Sequence, residues 1–420
     1  MPHSKTAQLL ISGGDERLAL NADGLNKYGC SPIPDDEILA FSSSTATPIS
    51  SANFAIADTL RLRLEQENFS EKIHHQEMRR QKAAWRELIG LEETTRIIFS
   101  PSGTDLHHLV SNQIARNSRI IMIESNETGS GVACALTQNN DVEVVAISLR
   151  FVNGLLRPMS QIDAEVITLA QQAISQNRDV LLILADQSKT GMIAPSLNCA
   201  ISLKKQFENR LNVLVDACQF RLCNTTLKNY LQQNFMIALT GSKFLAAPSF
   251  SALLILPNSI EFSITTEEIN FGLLLRMEIA LQQYRVFCQL TDSQIQTVIK
   301  DFTKTIQRYL NDSPYFQLVE TPILARDAFC WDNLPTIFPF LLLRDNKPLS
   351  ATQTREIYQQ LPLQNPRCQL GQPVILGEEK SALRLCLSAP LIVQAAQSEA
   401  HRRACIEKAL QVLATLERII

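Results

Sequence analysis

The chain has 420 residues, of which 45% are apolar and 19% charged, and its net charge is −3 at pH 7. This length allows two or three domains with large apolar cores. The near-neutral charge, without a long basic run, argues against nucleic acid or an anionic membrane surface as the main partner.

The N-terminus and the cysteines indicate the compartment. The apolar stretch before Ser12 is too short for a signal peptide or a membrane anchor. The ten cysteines are dispersed from Cys30 to Cys405 without a CxxC pair. We therefore expect reduced thiols, no disulfide framework and no metal site. These features together predict a cytoplasmic protein.

In chain order, residues 1–50 are rich in Ser, Asn, Pro and Gly and predict an irregular arm, and residues 51–89 show helical apolar spacing. Short apolar runs then alternate with helical stretches. Runs that are apolar on both faces and separated by helices predict a mostly parallel sheet between two helix layers. The last two runs are close enough in sequence to form a hairpin. The runs are Arg96–Phe99, Ile120–Ile123, Val142–Ile147, Val180–Ala185, Val213–Val215, Met236–Leu239 and Ala252–Leu256.

The C-terminal part predicts a second, smaller α/β domain. A helical segment at about 271–310 precedes three further runs and a final helix. We expect an N-terminal arm (1–50), a large domain (51–290) and a small domain (291–420). The runs and the helix are Phe316–Val319, Phe338–Leu343, Leu383–Leu387 and Glu399–Leu416.

Four polar segments follow apolar runs of the predicted large sheet. In an open α/β sheet, ligands bind at the edge where the carboxyl ends of the strands meet. The first segment is Ser102-Gly103-Thr104, before a predicted helix. A glycine turn at a helix N-terminus offers backbone N–H groups and partial positive charge, so it predicts a phosphate loop. A helix N-cap without a ligand is the alternative.

The second segment has Asp216 directly after an apolar strand, with Gln219 three residues later. A carboxylate in this position is costly unless a partner compensates its charge. A protonated pyridine nitrogen is a suitable partner, because the carboxylate keeps it protonated and the ring then acts as an electron sink. An Asp that caps a strand–helix turn is the alternative.

The third segment contains Thr240, Ser242 and Lys243, before the apolar run Ala252–Leu256. A lysine between two apolar strands is a candidate nucleophile and base, since burial lowers the pKa of an amine. We expect the two hydroxyls to reach the same phosphate as the first loop. A lysine that extends to the surface is the alternative.

The fourth segment is Asp186–Gly191, at the end of another predicted strand. It places small polar groups, Ser188 among them, where they are expected to meet the ring hydroxyl of a cofactor. Each segment alone is weak evidence. Their order in the chain and their shared sheet edge make the combination informative.

In this order and spacing, the segments resemble the class V aminotransferase and cysteine desulfurase family. That family belongs to the fold-type-I, aspartate aminotransferase-like superfamily of pyridoxal 5′-phosphate (PLP) enzymes. The resemblance covers about residues 96–257, extends more weakly to the C-terminus, and is most specific for Asp216, Gln219 and Lys243 together. It implies a three-layer α/β fold with a smaller C-terminal domain, a homodimer, and a small amino-acid substrate.

The resemblance also implies individual roles. Lys243 is expected to bind PLP as a Schiff base, Asp216 to pair with the ring nitrogen, and Gln219 with the ring hydroxyl. Further cofactor contacts are implied for Ser102, Gly103, Thr104, Ser188, Thr240 and Ser242.

Arg384, in the run Ala382–Ser388, resembles the arginine with which the family holds the substrate carboxylate. A planar guanidinium grips a carboxylate through two parallel hydrogen bonds. A solvent-facing arginine on an edge strand is the alternative.

The sequence departs from the family at several positions. Ser188 stands where the family has Asn, and Ser242 where it has His. Residues 124–132 hold no aromatic ring to stack on the cofactor. The Cys-bearing loop of the desulfurases has no clear counterpart, and Cys330 and Cys368 are expected to be structural thiols.

These observations favour an aminotransferase. A β-elimination lyase or desulfurase-like enzyme is the alternative, and a PLP-fold protein without catalysis is a second one, motivated by the departures. Retention of Lys243, Asp216 and Arg384 counts against loss of catalysis.

Overall fold

The computed structural model of the chain describes residues 4–115, 117–129, 131–137, 142–263, 268–326, 330–378 and 380–420. The helices are α1 (Lys5–Leu10), α2 (Ser51–Gln66), α3 (Glu71–Ile89), α4 (Gly103–Ile114), α5 (Val132–Leu136), α6 (Met159–Ser175), α7 (Leu197–Phe207), α8 (Asn224–Gln232), α9 (Phe271–Phe287), α10 (Asp292–Asp312), α11 (Ala351–Gln360), α12 (Ala389–Ala396) and α13 (Glu399–Ile419). The strands are β1 (Leu39–Phe41), β2 (Arg96–Ser100), β3 (Ser118–Ile123), β4 (Glu143–Ile147), β5 (Asp179–Asp186), β6 (Ile193–Ala194), β7 (Leu211–Ala217), β8 (Met236–Thr240), β9 (Ala252–Leu256), β10 (Phe316–Leu318), β11 (Ile337–Arg344), β12 (Lys347–Pro348), β13 (Cys368–Leu376) and β14 (Lys380–Cys386).

The large sheet has the strand order β2-β9-β8-β7-β5-β3-β4, with β6 paired to β5. Strands β8, β7, β5, β3 and β4 run parallel, whereas β9 is antiparallel to both β8 and β2. All seven predicted runs are strands of this sheet, and the expected hairpin is confirmed as β8–β9. The carboxyl ends of β5, β7 and β8 therefore meet at one edge.

Both faces of the large sheet are buried, each in a different apolar cluster. On β3, Ile121 and Ile123 belong to one cluster, and Ile120 and Met122 to the other. Since side chains alternate along a strand, each strand contributes to two cores, one under each helix layer. The predicted three-layer α/β architecture is confirmed.

A second sheet has the order β1-β13-β14-β11-β10, with β12 paired to β11. The strand β1, inside the segment predicted as an irregular arm, runs parallel to β13. The other pairs are antiparallel. This sheet and the final helix α13 agree with the predicted smaller C-terminal unit, while the limits 51–290 and 291–420 stay a prediction.

The helical segment predicted over 271–310 is two helices, α9 and α10. The chain breaks between them because Thr291 caps α10, with Gln294 completing a capping box. In the ranges that the structure describes, no helix combines the length and the apolarity needed to cross a membrane.

Candidate active site

A cavity lies between the carboxyl edge of the large sheet and the second sheet. Strand ends and loops of the large sheet line one side, and Gln372 on β13 and Arg384 on β14 line the other. Every predicted site residue except Ser188 lines this cavity. They are Ser102, Gly103, Thr104, Asp216, Gln219, Thr240, Ser242, Lys243 and Arg384.

Lys243 is carried on a tightly fixed turn between β8 and β9. The N–H of Gly241 donates to the carbonyl of Ser251 at 2.7 Å, and that of Ala246 donates to the carbonyl of Lys243 at 3.1 Å. A Cβ at Gly241 would lie 2.4 Å from the Ala280 side chain, so the turn requires glycine there. The backbone that carries the Lys243 side chain is therefore fixed by hydrogen bonds and close packing.

The residue after Lys243 anchors this turn to the core. The ring of Phe244 stacks on Trp331 at 5.4 Å between centroids and meets the edge of Phe287 at 5.2 Å. The backbone carbonyl of Phe244 accepts a hydrogen bond from the N–H of Ala389 at 2.7 Å. The lysine-bearing turn is thus fixed to both parts of the chain that enclose the cavity.

Asp216 lies near the end of β7, with a side chain about 10% exposed. Its Oδ1 accepts the backbone N–H of Cys218 at 3.2 Å, and its Oδ2 lies 3.5 Å from Nε2 of His107. Burial raises the pKa of the Asp216 carboxyl, but His107, Lys243 and Cys218 lower it by more, so the pKa lies below its usual value. The group is an anion at neutral pH.

His107, which the sequence offered with His108 only as a substitute for the missing stacking ring, is a further side chain at this site. It is fully buried on α4, and its Nδ1 lies 2.7 Å from the carbonyl of Gly103, which requires a proton on Nδ1. Nε2 then faces Asp216. The helix that follows the predicted phosphate loop therefore also orients the buried carboxylate.

The N-terminus of α4 forms one end of the cavity. Ser102 is the N-cap, and its hydroxyl accepts the N–H of Asp105 and donates to the Asp105 carboxylate at 2.7 Å. A Cβ at Gly103 would lie 2.8 Å from the Sγ of Cys218, so only glycine fits this loop against β7. The twelve-residue helix directs partial positive charge toward the cavity.

Arg17 adds a full positive charge at this end. Its Nη2 lies 3.4 Å from the Ser102 hydroxyl, and its guanidinium lies 4.8 Å from the centre of the Phe250 ring. Asp15 holds it through a 2.6 Å ion pair. The sequence contains no local signal for this role, because only the folded arm brings residue 17 near residue 102.

One buried side-chain atom of the cavity lining, Oε1 of Gln219, has no hydrogen-bond partner within the described residues. Nε2 of His107 forms no hydrogen bond there either, but it faces the Asp216 carboxylate at 3.5 Å. Buried polar groups are normally hydrogen-bonded, and leaving one unpaired is costly. The unpaired Gln219 oxygen therefore indicates a site built for a polar ligand.

Arg384 is buried at the opposite end of the cavity. Its Nε and Nη2 donate to the carbonyl of Gln372 at 3.1 and 2.9 Å, and its Nη1 donates to the carbonyl of Lys189 at 3.4 Å. Its partner across the sheet is Gly371, where a Cβ would lie 3.1 Å from the guanidinium carbon. In the described part of the chain, backbone oxygens accept the hydrogen bonds of the guanidinium, and burial lowers its pKa below the usual value.

Lys189 stands beside Arg384 and also lines the cavity. Its Nζ donates to the carbonyl of Ser125 at 2.9 Å. Burial lowers the pKa of the Lys189 amine to about 8, and the positive charges of Arg384 and Lys243 contribute further. The sequence pattern predicts the segment that contains Lys189 but gives this residue no role.

Ser188 is the predicted site residue that does not reach the cavity. Its hydroxyl donates to Oε2 of Glu127 at 2.8 Å, and Glu127 is also paired with Arg150 at 3.1 Å. Thr190 donates to the same carboxylate through its backbone and its hydroxyl. Ser188 thus belongs to a buried network that shapes the loop carrying Lys189.

The sequence matches no family model and no curated protein. Solved structures do share the fold. A NifS-like protein aligns with 89% of this chain and 99% of its own length, at 12% identity and a TM-score of 0.57. The cystine C–S lyase C-DES, in complex with its product cysteine persulfide, aligns over 89% and 97%, at 15% identity and a TM-score of 0.58.

A third similar structure is the serine palmitoyltransferase of Sphingomonas wittichii. It aligns with 90% of this chain and 88% of its own, at 12% identity and a TM-score of 0.56. At these identities the similarity establishes the fold. The chain has the aspartate aminotransferase-like fold that the sequence predicted.

Proposed function

We propose that the chain is a PLP-dependent enzyme that acts at the α-carbon of an amino-acid-like substrate, and that it is an aminotransferase of the class V type. The observation that carries this proposal is that Lys243, Asp216 and Arg384, from three distant segments, line one cavity. The solved structures of the same fold include a cystine C–S lyase, a serine palmitoyltransferase and a structure of SPT with PLP as an internal aldimine, which supports the proposal.

The residues present fit this cofactor. Its phosphate would be held by the N-terminus of α4, the Ser102 hydroxyl and Arg17, and its ring nitrogen by the Asp216 carboxylate. The unpaired Oε1 of Gln219 would accept a hydrogen bond from the ring hydroxyl. Lys243 would hold the aldehyde covalently.

The chemistry that PLP supplies when bound is withdrawal of electrons from the α-carbon of an amine condensed with its aldehyde. The chain's own residues do the rest. Arg384 binds and orients the substrate carboxylate, which fixes the α-carbon relative to the ring. Lys243, once released from the cofactor, moves the proton at the α-carbon. Asp216 keeps the ring nitrogen protonated.

The cavity offers no thiolate for sulfur transfer among the described residues. Cys218 is the cysteine that lines it, and it is buried. Burial and the neighbouring Asp216 carboxylate raise the pKa of the Cys218 thiol well above its usual value. A neutral buried thiol is a poor nucleophile, which favours transamination over a desulfurase-type reaction.

A β-elimination lyase is the second candidate, favoured by the likeness of fold to the C–S lyase C-DES. The two reactions differ in their co-reactant. Transamination consumes a keto acid and transfers the amino group to it, whereas β-elimination needs no acceptor and releases the β-substituent, ammonia and a keto acid.

The experiment that separates them incubates PLP-loaded protein with a panel of amino acids, with and without a keto-acid acceptor. We expect turnover that depends on the acceptor and releases no ammonia. Ammonia released from β-substituted amino acids without an acceptor would overturn the aminotransferase assignment. Bound PLP with no turnover across the panel would indicate a protein that binds the cofactor without catalysis. A homodimer is part of the proposal and can be checked by light scattering.

Arg17 gives a prediction about cofactor affinity. Because Arg17 supplies the full positive charge at the α4 end of the cavity, Arg17→Ala should weaken PLP binding by about 10- to 100-fold, the range for a lost charge-assisted hydrogen bond. Equilibrium titration of PLP measures this. Lys27→Ala, an exposed cation in the same segment, should bind PLP like the unaltered protein. Equal affinities for the two variants would remove Arg17 from the phosphate site.

Lys189 gives a prediction about pH. Its pKa of about 8 means that it loses its charge as the pH rises through 8, so one of the two cations near the substrate carboxylate is lost. The KM for the amino acid should therefore rise about 3- to 10-fold between pH 7 and 9. This is the size expected when one screened attraction, between the Lys189 ammonium and the substrate carboxylate, is lost.

The matched variant is Lys189→Arg, because arginine stays charged over this range. Comparison of the two proteins at each pH cancels the titration of the substrate's own amino group. The rise in KM should be smaller in Lys189→Arg. An identical pH profile in both proteins would show that Lys189 does not contribute to carboxylate binding.

A further inference from the structure

Outside the cavity, three side chains with metal-binding atoms converge from distant parts of the sequence. They are Cys223, Cys330 and Asp332, and their sulfur and oxygen atoms all lie within 4.8 Å of one another. The spacing of cysteines along the chain gave no sign of this group, because more than a hundred residues separate Cys223 from the other two.

Asp332 is the buried member of the group. It is 0% exposed, and its Oδ2 accepts the backbone N–H of Cys223 at 2.9 Å. Its Oδ1 has no hydrogen-bond partner among the described residues. A buried carboxylate oxygen without a partner is unfavourable. The Oδ1 of Asp332 is therefore a candidate ligand for a bound ion.

The charge around Asp332 is not balanced by the neighbouring arginine. Arg326 lies 4.0 Å from the Asp332 carboxylate but forms its direct side-chain ion pair with Asp186, which is also fully buried. Two buried carboxylates therefore share one guanidinium. A cation beside Asp332 would compensate the remaining negative charge.

The three side chains are held in place before any ligand binds. Cys223 is the N-cap of α8, where its Sγ accepts the N–H of Thr226 at 3.4 Å. Trp331, between the other two, is packed on Phe244 and donates its backbone N–H to Asp292 at 2.8 Å. Both cysteines are partly exposed, so an ion in solution can reach them.

We propose that Cys223, Cys330 and Asp332 bind a zinc ion, with water in the fourth position. Thiolates select soft divalent ions over magnesium or calcium, and a tetrahedral site of two sulfurs and one oxygen suits zinc. Ligand atoms around a tetrahedral zinc lie about 3.5 to 3.8 Å apart, as follows from Zn–S and Zn–O bonds of about 2.3 and 2.1 Å. The group therefore has to contract by about 1 Å at most. Binding displaces the two thiol protons into solution.

The location indicates what the ion does. It would join the start of α8, in the large-sheet part of the chain, to the segment around Trp331, whose ring packs on the residue after Lys243. Bound zinc should therefore stabilise the folded state and raise the thermal unfolding temperature of the full chain by several degrees.

The test titrates zinc, and separately cobalt, into chelator-treated, reduced full-length protein without PLP. We expect one ion per chain, protons released on binding, and a thiolate-to-cobalt charge-transfer absorption. Cys223→Ser and Cys330→Ser should each weaken zinc binding at least about 100-fold, since loss of even an outer-shell partner costs 10- to 100-fold. Cys134→Ser, an exposed thiol elsewhere, should change nothing.

Asp332→Asn separates the metal role from a purely structural carboxylate, because it keeps the size and one acceptor oxygen. It should lower zinc affinity while circular dichroism and PLP uptake stay unchanged. Zinc binding that survives both cysteine substitutions would overturn the assignment. So would a reduced protein that binds no zinc but forms a Cys223–Cys330 disulfide on oxidation. Zinc binding itself is measured on protein without PLP, so its failure leaves the proposed enzyme function untouched.

Discussion

Lys243→Ala should abolish covalent PLP binding and lower kcat by at least about 1000-fold, since the positioned amine both attaches the cofactor and transfers the substrate proton. The variant should still bind PLP non-covalently, because the α4 end of the cavity and Asp216 are intact. Borohydride should then trap no cofactor on the protein. Activity with a saturating amino acid and keto acid measures the effect on kcat.

The matched control is Lys189→Ala, which removes the other lysine of the same cavity. This variant should retain the covalent cofactor and most of kcat. The substitution should instead raise the KM for the amino acid. If Lys243→Ala keeps kcat within a few-fold, or if Lys189→Ala loses the covalent attachment instead, the assignment of the nucleophile is wrong.

Asp216→Asn should lower kcat by about 100- to 1000-fold, the range seen when a single preorganised electrostatic group is removed from an active site. An amide cannot keep the pyridine nitrogen protonated, so the electron demand of the ring falls. Asn is nearly isosteric, so the hydrogen bond from the N–H of Cys218 and the fold should persist. The measurement is kcat at saturating PLP, so that weaker cofactor binding does not contribute.

Two control variants show whether the loss of kcat comes from the missing charge at residue 216. Asp163→Asn removes a carboxylate that accepts hydrogen bonds from Ser196 far from the cavity and should leave kcat unchanged. Asp216→Glu keeps the charge and should retain more activity than Asp216→Asn. A kcat for Asp216→Asn within threefold of the unaltered protein would contradict the role of the carboxylate.

The large sheet was predictable because its strands are short apolar runs buried on both faces, a pattern that few other structures produce. Strand β13 was not predicted. It contains Gly371 and Pro373, and its register shifts between Gly371 and Val374, so it lacks a regular apolar pattern. The break between α9 and α10 could have been read from Thr291 and Gln294, which form a recognisable capping box.

Cavity-lining residues in recognisable motifs could be predicted from the sequence, and those that tertiary structure brings to the cavity could not. Lys243, Asp216 and Ser102 lie at or just after the carboxyl ends of strands that share an edge, so strand order alone brings them together. Arg17 and His107 reach the cavity only because of how the N-terminal arm and α4 pack against the rest of the chain, which no local sequence pattern predicts. Ser188 was assigned from its place in a motif, but the buried Glu127 takes its hydroxyl, and no local pattern predicts that partner.

The central claim is that one amine, on the turn after β8, carries PLP. The most direct test reduces PLP-loaded, unaltered protein with borohydride, digests it and maps the modified peptide by mass spectrometry. We predict a single stoichiometric adduct on Lys243. An adduct on another lysine such as Lys189, or no adduct on protein saturated with PLP, would contradict the account.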